Sequence, residues 1–328
     1  MAYALSLLDK SPLASGESAT DALKRTVALA QLAERLGYLR FWVAEHHNAS
    51  ELASSSPEVL IAYLLAHTNR IRIGSGGVML QHYSPYKVAE NFHLLSALAP
   101  GRVDLGIGKA PGGLPLSTRA LQGRNDPSRK QDFGEQIAEL GAYLDGAGPV
   151  EGLSATPRPP VAPQRFLLGA SVESALLAAA HQWEFVFARH LNGDDDLLDD
   201  TVAAYRAQTG RAPIIAVSVI VSEYAGEAEA QADKIKLFKV HVPGAQSVTV
   251  GSEEQARDYA RQLGSTEFRI EAKQPSVIAG TPDQIRSELD RLHARSGNSE
   301  FIIEPAVGGL WRLATAEMLV RERSAAAA

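Results

Sequence analysis

The chain alternates strand-like and helix-like segments along its length, and this alternation restricts its possible folds more than any other feature. The strand-like segments are short apolar runs rich in β-branched and aromatic residues. Strands that alternate with helices build parallel sheets, because a parallel neighbour is reached through a crossover connection. The predicted strands are 3–9, 41–44, 71–80, 101–108, 165–171, 184–189, 212–222 and 301–305.

The helix-like segments carry recognisable start and stop signals. The segment 20–36 places apolar residues near one face and is followed by Gly37, which suits the left-handed end of a helix. Ser56 and Pro57 stand before another apolar run as an N-cap and a first-turn proline. Further helices are predicted over 85–98, over 172–182 and over 311–323. Another follows the loop 110–128 and ends at about residue 145.

These elements predict a single α/β domain over 1–328, folded as a (β/α)8 TIM barrel. The extra length falls mainly between strands seven and eight, so an insertion is predicted at about 224–281. An open doubly wound sheet shows the same alternation and stays the alternative. Loops over 110–128 and 146–163 are rich in residues that break regular structure, and the terminal alanines 325–328 are predicted to fray.

The composition excludes several classes of function. A net charge of −6 without a long basic run gives no electrostatic footprint for nucleic acid. The absence of cysteine excludes disulfides, thiolate nucleophiles and cysteine-ligated metals. No stretch reaches the roughly 18 apolar residues of a membrane span, and the first residues lack the pattern of a signal peptide. We therefore expect a cytoplasmic protein whose partner is a small molecule.

The sequence FWVAEHHN, residues 41–48, leads a predicted strand directly into Glu45, His46 and His47. Active sites of TIM barrels lie at the C-terminal ends of the strands, so an imidazole facing this mouth predicts an acid, a base or a hydrogen-bond donor. Neighbouring strand residues point to opposite faces, and HExxH spacing is absent, so no metal site is predicted. A strand that simply ends in solvent is the alternative interpretation.

Two glycine-rich segments follow, GSGG at 74–77 and GIGKAPGG at 106–113. Glycine weakens a strand unless a bulge, an unusual dihedral angle or a close ligand requires it. The first segment therefore predicts either a flat surface for a planar ligand or crowding within the barrel. The second matches neither nucleotide-binding glycine motif, and Lys109 within it either neutralises a phosphate or is an ordinary surface lysine.

The segment GASVES, residues 169–174, begins a predicted helix with Ser171 as its N-cap and Ser174 one turn further on. Free backbone N–H groups and the positive end of the helix dipole make such a helix start a natural phosphate site. A serine that only caps the helix explains the sequence equally well. Arg189 and His190 follow the sixth predicted strand and add positive charge on the same face.

An ordered set of motifs resembles those of bacterial luciferase-like flavin monooxygenases, in particular the branch of luciferase-family oxidoreductases. The motifs are FWVAEHHN, SSSPEVL, IRIGSGGVML, SPYKVAENFHLLSALAPGRVDLGIGKAPGG, FLLGASVESALLAAA and AGTPDQI, and they span about residues 3–310. The resemblance implies a TIM barrel, usually dimeric, that binds FMN at its C-terminal mouth. Reduced FMN there reacts with dioxygen to give a C4a-peroxyflavin, which oxidises a small organic substrate. No NAD(P)H-binding module is visible, so a separate flavin reductase is expected.

The resemblance also implies roles for single residues. His46 matches the catalytic histidine, and Gly76–Gly77 match the place of a non-prolyl cis peptide beside the flavin ring system. Ser171 and Ser174 match phosphate-binding residues of the family. Lys109 stands where the family usually has arginine, which keeps the charge but loses the planar fork of donors.

Three rival functions stay open. A deazaflavin-dependent dehydrogenase belongs to the same superfamily, exchanges a hydride with its cofactor and ignores oxygen. A non-catalytic flavin-binding relative would keep the barrel, although it has no evident need for His46 at the flavin. A metal hydrolase is disfavoured because no early strand carries an HxH pair. The loops 110–128 and 224–281 are the candidates for a substrate lid.

Overall fold

A closed barrel of parallel strands forms the centre of the computed structural model, which describes residues 2–123, 131–245 and 247–320. The strands are β1 (Ala4–Asp9), β2 (Arg40–Val43), β3 (Arg72–Ser75), β4 (Val78–Met79), β5 (Val103–Gly108), β6 (Gln164–Gly169), β7 (Glu184–Ala188), β8 (Ile214–Val221), β9 (Leu237–His241), β10 (Val248–Val250), β11 (Arg269–Lys273), β12 (Val277–Gly280) and β13 (Glu300–Pro305). Eight of these described strands follow the order β8-β13-β1-β2-β3-β5-β6-β7, and β7 pairs with β8 to close the ring. The predicted (β/α)8 barrel is therefore confirmed, and the open doubly wound sheet is wrong.

Helices connect the barrel strands, and their ends match the capping signals of the sequence. They are α1 (Ala19–Leu36), α2 (Pro57–Ala66), α3 (Pro85–Leu98), α4 (Pro115–Gln122), α5 (Phe133–Asp145), α6 (Val172–Ala180), α7 (Asp195–Thr209), α8 (Ala225–Ala232), α9 (Glu253–Gln262), α10 (Pro282–Ser296) and α11 (Trp311–Val320). Gly37 ends α1 at φ 80°, as predicted. Thr281 and Gln284 form a reciprocal capping box at the start of α10.

Two predicted segments differ from the structure. The third predicted strand is divided into β3 and β4 by Gly76 and Gly77, where the chain takes a cis peptide bond. The predicted loop 110–128 contains α4, which begins at Pro115 and packs beside α9; residues 124–128 lie outside the described residues. The glycine and proline content of this segment favoured a loop over the short helix, which begins at Pro115 and contacts α9. The alanines 325–328 also lie outside the described residues.

The segment between β8 and β13 adds a small antiparallel sheet beside the barrel. Its strands follow the order β10-β9-β11, and α9 packs on β9. The apolar cluster of this unit consists of Val240, Val242, Ala256, Tyr259 and Ala260, and the partly buried Leu114 packs against it. After this sheet the chain returns to the barrel through β12, which pairs with β8. The sheet and α9 thus occupy the region predicted as an insertion.

The barrel interior holds an apolar cluster with charged residues at its N-terminal end. Strand residues alternate between two faces, so every second residue of a barrel strand points inward. The interior cluster consists of Leu8, Trp42, Ala44, Phe166, Val186, Ile214, Ala216 and Ile302, and all but Ala44, which follows β2, lie on barrel strands. Towards the N-terminal end, Asp104 Oδ2 accepts hydrogen bonds from Arg40 Nη1 at 3.0 Å and from Trp42 Nε1 at 3.0 Å. Arg40 Nε also contacts Glu300 Oε1 at 2.7 Å. The charges here neutralise one another inside the protein.

A cavity of about 790 Å³ opens at this same N-terminal end of the barrel. The arginines in its wall pair with carboxylates of the same wall: Arg40 with Glu300, Arg165 with Asp145, and Arg211 with Glu184. Residues at this end of TIM barrels serve stability, whereas chemistry collects at the other end. The candidate functional site therefore lies at the C-terminal mouth.

Candidate functional site at the barrel mouth

Ionisable side chains meet at the C-terminal mouth because parallel strands deliver their ends to the same edge of the barrel. Lys10 follows β1, His46 lies just beyond β2, His190 follows β7, and Glu304 is the penultimate residue of β13. The chain order of these residues gives no hint that they belong together. The closed register of the barrel brings them to one place.

Lys10 and Glu304 form an ion pair at this mouth. The Lys10 Nζ lies 2.5 Å from Glu304 Oε1, and the Ser218 hydroxyl donates to Glu304 Oε2 at 2.7 Å. Burial alone would raise the pKa of Glu304, but the charges of Lys10 and His190 and the bond from Ser218 outweigh it and lower this pKa to about 2. Glu304 is therefore a fixed negative charge at neutral pH.

His46 and His190 are partly buried imidazoles that feel this ion pair. Burial, followed by the charge of Lys10, lowers the pKa of His46 to about 4, against the opposing effect of Glu304. Burial is likewise the main cause that lowers the pKa of His190. The Nδ1 atom of His190 is buried and has no hydrogen-bond partner within the protein. Both rings are neutral at neutral pH and can accept a proton.

His47 has a different role from His46, as expected for neighbours that point to opposite faces. Its Nε2 donates to Glu45 Oε1 at 2.7 Å, and the Tyr83 hydroxyl donates to the same oxygen at 2.8 Å. The other oxygen of Glu45 accepts from the Met79 backbone N–H at 3.1 Å. Burial, and then Glu45, raises the pKa of Tyr83. Glu45 thus fixes His47 and Tyr83 beneath the mouth.

The loop after β5 is fastened to this anchor. The His47 backbone N–H donates to the Gly112 carbonyl at 2.7 Å, and the His82 ring bonds the Pro111 carbonyl at 2.7 Å through Nε2. Further along, the Leu116 N–H donates to Gln262 of α9 at 2.9 Å, and Leu114 packs on the apolar cluster of the small sheet. One loop therefore connects the barrel mouth to the small sheet and α9.

The glycines at the end of β3 are explained by crowding inside the barrel. A Cβ atom on Gly76 would lie 2.7 Å from Leu8 Cδ1, and one on Gly77 would lie 2.8 Å from the Gly106 carbonyl oxygen. A Cβ on Gly74 would lie 2.5 Å from Asp104 Cβ. The Gly76–Gly77 peptide bond is cis, as the sequence resemblance implies. Protein atoms occupy the space that side chains would need, so the predicted contact with a planar ligand stays a prediction.

The start of α6 presents a pair of hydroxyl groups. Ser171 caps the helix by accepting from the Ser174 N–H at 3.2 Å, and the two Oγ atoms lie 3.1 Å apart. Lys109 is exposed beside this helix start, with its Nζ 3.9 Å from Glu173 Oε1. Hydroxyl donors, a helix N-terminus and a nearby ammonium group fit a phosphate. These residues could hold the phosphate of a cofactor.

Arg189 differs from the other predicted site residues because its charge is already engaged. Its Nη2 lies 3.0 Å from Asp195 Oδ1 and 3.4 Å from the Gly193 carbonyl oxygen. Asp195 also pairs with Arg291 and Arg295. The structure thus groups His46 with His190, and Lys109 with Ser171 and Ser174, while Arg189 joins a network at the start of α7.

Sequence reasoning missed Lys10, Ser218, Glu304 and Tyr83. A signal was available for Glu304, because a carboxylate near the end of an otherwise apolar strand is expensive to bury without a partner. No comparable signal marked its partner Lys10, which follows a strand nearly three hundred residues earlier in the chain. Among the described residues, no cluster of three or more His, Cys, Asp or Glu side chains could hold a metal ion. None of the described helices is long and apolar enough to cross a membrane.

Known proteins resemble this chain in sequence and in fold. A family described as luciferase-like monooxygenase matches residues 1–299. The chain is 46% identical over 307 residues to the N-acetyl-S-alkylcysteine monooxygenase of Bacillus subtilis (strain 168), and the match covers 91% of each chain.

Two solved structures share the fold at lower sequence identity. The first is the oxygenating constituent of 3,6-diketocamphane monooxygenase from Pseudomonas putida, a type II Baeyer–Villiger monooxygenase in complex with FMN; the TM-score is 0.70 at 17% identity, covering 98% of this chain and 96% of that one. The second is an F420-dependent secondary alcohol dehydrogenase; the TM-score is 0.69 at 14% identity, covering 98% and 100%. At these identities the likeness is one of fold.

Proposed function

This chain belongs to the luciferase-like monooxygenase family, and from that premise we propose that it uses reduced FMN and dioxygen to oxidise a small organic substrate. One observation of the site supports a phosphate-bearing cofactor of the flavin type: partly buried, neutral His46 lies at the same end of the barrel as the hydroxyl pair of Ser171 and Ser174. The first residue suits proton transfer, and the pair suits a phosphate. FMN has both a phosphate and a ring system that takes part in proton-coupled chemistry.

The residues divide the work between holding the cofactor and managing protons. Ser171, Ser174 and the start of α6 hold the phosphate, with Lys109 as the neighbouring positive charge. When bound, reduced FMN supplies the electrons that activate dioxygen. A ring nitrogen of His46 accepts or returns a proton beside the reacting groups.

The name of the Bacillus subtilis relative suggests the substrate class to test first. That protein is named for N-acetyl-S-alkylcysteines, which are thioethers, and it matches 91% of this chain. We infer that this chain also oxygenates a small thioether or a related molecule. A separate flavin reductase would supply the reduced FMN, and a cytoplasmic location would suit that supply.

A titration in the absence of oxygen tests the proposal directly. The purified protein is titrated with reduced FMN and, separately, with reduced deazaflavin; air and an N-acetyl-S-alkylcysteine are then admitted. Tight binding of FMN, and a product that carries one atom from isotope-labelled dioxygen, is the expected result. Preference for deazaflavin without consumption of oxygen would assign the rival dehydrogenase function. FMN binding without any turnover would leave a non-catalytic flavin-binding protein.

A charge placed at the N-cap of α6 is expected to weaken binding of reduced FMN. Asp and Asn both cap helices well, so Ser171→Asp and Ser171→Asn differ mainly in charge. The aspartate would face the phosphate, and we expect it to raise the dissociation constant at least about tenfold over the asparagine variant. Fluorescence titration of both variants measures this difference. Equal affinities would move the phosphate to another part of the mouth.

We also propose that the protein is a homodimer that pairs through α2 and α3. These helices expose Val59 by 68%, Tyr63 by 56%, Leu94 by 49% and Leu98 by 68%. The opposite face of α2 is already buried in the barrel core, so α2 is apolar on both sides, as expected for a helix covered from both directions. A second copy of the chain would cover the outer side.

Charged substitutions on this face test the dimer. Val59→Glu and Leu98→Glu are each expected to shift a wild-type dimer to monomer, because each buries a carboxylate without a partner. Light scattering after gel filtration gives the mass of each variant. Leu263→Glu changes an apolar residue, 41% exposed, at the end of α9 beside the small sheet, and its mass should stay that of the dimer. A monomeric wild-type protein would end this proposal.

A further inference from the structure

A groove between the start of α8 and α11 plays no part in the proposed chemistry. Its volume is about 470 Å³, a size typical of small-molecule sites. The apolar part of its wall consists of Tyr224, Leu310, Trp311, Ala314 and Met318. Tyr224 is 75% exposed and Leu310 is 76% exposed, more than any residue of the proposed dimer face. Two large apolar side chains of the groove are therefore open to a ligand.

Carboxylates complete the wall of this groove. Glu317 comes from α11, Glu227 comes from α8, and Glu223 precedes α8. No lysine or arginine of the described residues lines the groove. The groove thus combines apolar surface with negative charge, and this combination favours a cation.

Helix stability gives no reason for the carboxylate of Glu317. This residue lies in the last turn of α11, where a negative charge opposes the helix dipole. Among the described residues it has no ion-pair partner. By contrast, Glu227 lies in the first turn of α8 and accepts a hydrogen bond from the Ser222 hydroxyl, so it also serves the fold. A bound cation would explain the position of Glu317.

Tyr224 and Trp311 add aromatic rings to the groove. The face of an aromatic ring attracts a cation, most strongly in tryptophan, and quaternary ammonium ligands are recognised in this way. We propose that the groove binds a free organic cation with an apolar body, such as an alkylammonium or arylammonium ion. Its wall shares no residue with the site at the barrel mouth, so this proposal is independent of the proposed function.

Titration of the full chain with benzyltrimethylammonium, without flavin, tests this proposal. The chain has three tryptophans, and Trp42 and Trp183 are only 1% and 2% exposed, whereas Trp311 lines the groove. In proton–nitrogen NMR the indole signal that is lost in Trp311→Phe should move during the titration, and the other two should stay. Tetramethylammonium lacks the apolar ring and benzyl alcohol lacks the charge, so each should bind at least about fivefold more weakly.

A neutral substitution at Glu317 measures the contribution of its charge. Glu317→Gln keeps the shape of an exposed side chain, so the fold should be unaffected. We expect the dissociation constant of benzyltrimethylammonium to rise about threefold or more. Glu229→Gln is the matched control, because Glu229 is an exposed residue of α8 that lies outside the wall of the groove. The affinity of this control should equal that of the wild type.

An unmoved Trp311 signal, or equal affinities of the wild type and Glu317→Gln, would overturn the proposal. Residues 321–328 follow α11 and lie outside the described residues; their deletion should leave the affinity unchanged. Tighter binding by the shortened protein would assign the groove to the end of this chain instead. Binding to phosphatidylcholine vesicles without binding of benzyltrimethylammonium would assign it to a membrane surface. A failed flavin titration would leave this proposal standing.

Discussion

The His46→Ala variant is expected to bind reduced FMN and keep its fold, yet lose product formation by at least about 100-fold, the usual contribution of a general acid or base. The fold should survive because the backbone N–H of residue 46 still donates to the Ser54 carbonyl, a 2.9 Å bond that does not need the ring. Removing the ring deletes the neutral imidazole that we place beside the reacting groups. Consumption of dioxygen and formation of oxidised thioether are measured together.

A histidine at the other end of the barrel provides the control for this result. His181 follows α6 and lines the N-terminal cavity, so His181→Ala should retain product formation. We expect His46→Ala to turn over oxygen without making product, because proton delivery and substrate oxidation become uncoupled. Unchanged product formation in His46→Ala at saturating FMN and substrate would remove this residue from the chemistry.

The Asp104→Ala variant is expected to lower the free energy of unfolding by about 3–5 kcal/mol, the range found when one partner of a buried ion pair is removed. Asp104 is fully buried. Its Oδ1 accepts from Arg72 at 2.8 and 2.6 Å, and its Oδ2 accepts from Arg40 and Trp42 at 3.0 Å each. Alanine would leave Arg72 and the buried Arg40 without this carboxylate. Denaturant unfolding, with the slope checked for two-state behaviour, measures the loss.

Asp145→Ala is the matched control at the same end of the barrel. Asp145 lies 2.5 Å from Arg165, but its side chain is 61% exposed, so solvent screens the pair. Its removal should change the free energy of unfolding by less than about 1 kcal/mol. Similar losses for Asp104→Ala and Asp145→Ala would mean that the interior charges contribute no more than surface ones.

The barrel could be predicted from the sequence because apolar runs and capping residues mark its strands and helix ends locally. Gly37 and Ser171 lie at helix ends in the structure where the sequence placed them. Position 182 shows the limit of such signals: Gln182 stands at φ 59°, a left-handed conformation that glycine adopts at little cost and that a glutamine does not predict.

The interior of the site could not be predicted in the same way. Lys10 and Glu304 meet only because the first and last barrel strands are neighbours. Arg189 was predicted as a positive charge for the cofactor, but sequence alone did not show that Asp195 lies 3.0 Å away from it. The helix α4 contacts α9, which also lies far along the chain. Each of these features is set by tertiary neighbours.

The segment from Pro111 to Leu116 links the barrel to the small sheet, so a change in one affects the other. It bonds His47 and His82 on the barrel side, and it contacts Gln262 and the cluster around Val240 on the other. A chimera that exchanges only the small sheet and α9 would therefore lose the matched contacts of this loop with Gln262 and with the cluster around Val240. Exchange of this loop together with the small sheet and α9 would keep these contacts and leave the strand ends in place, which makes the two segments one transferable unit.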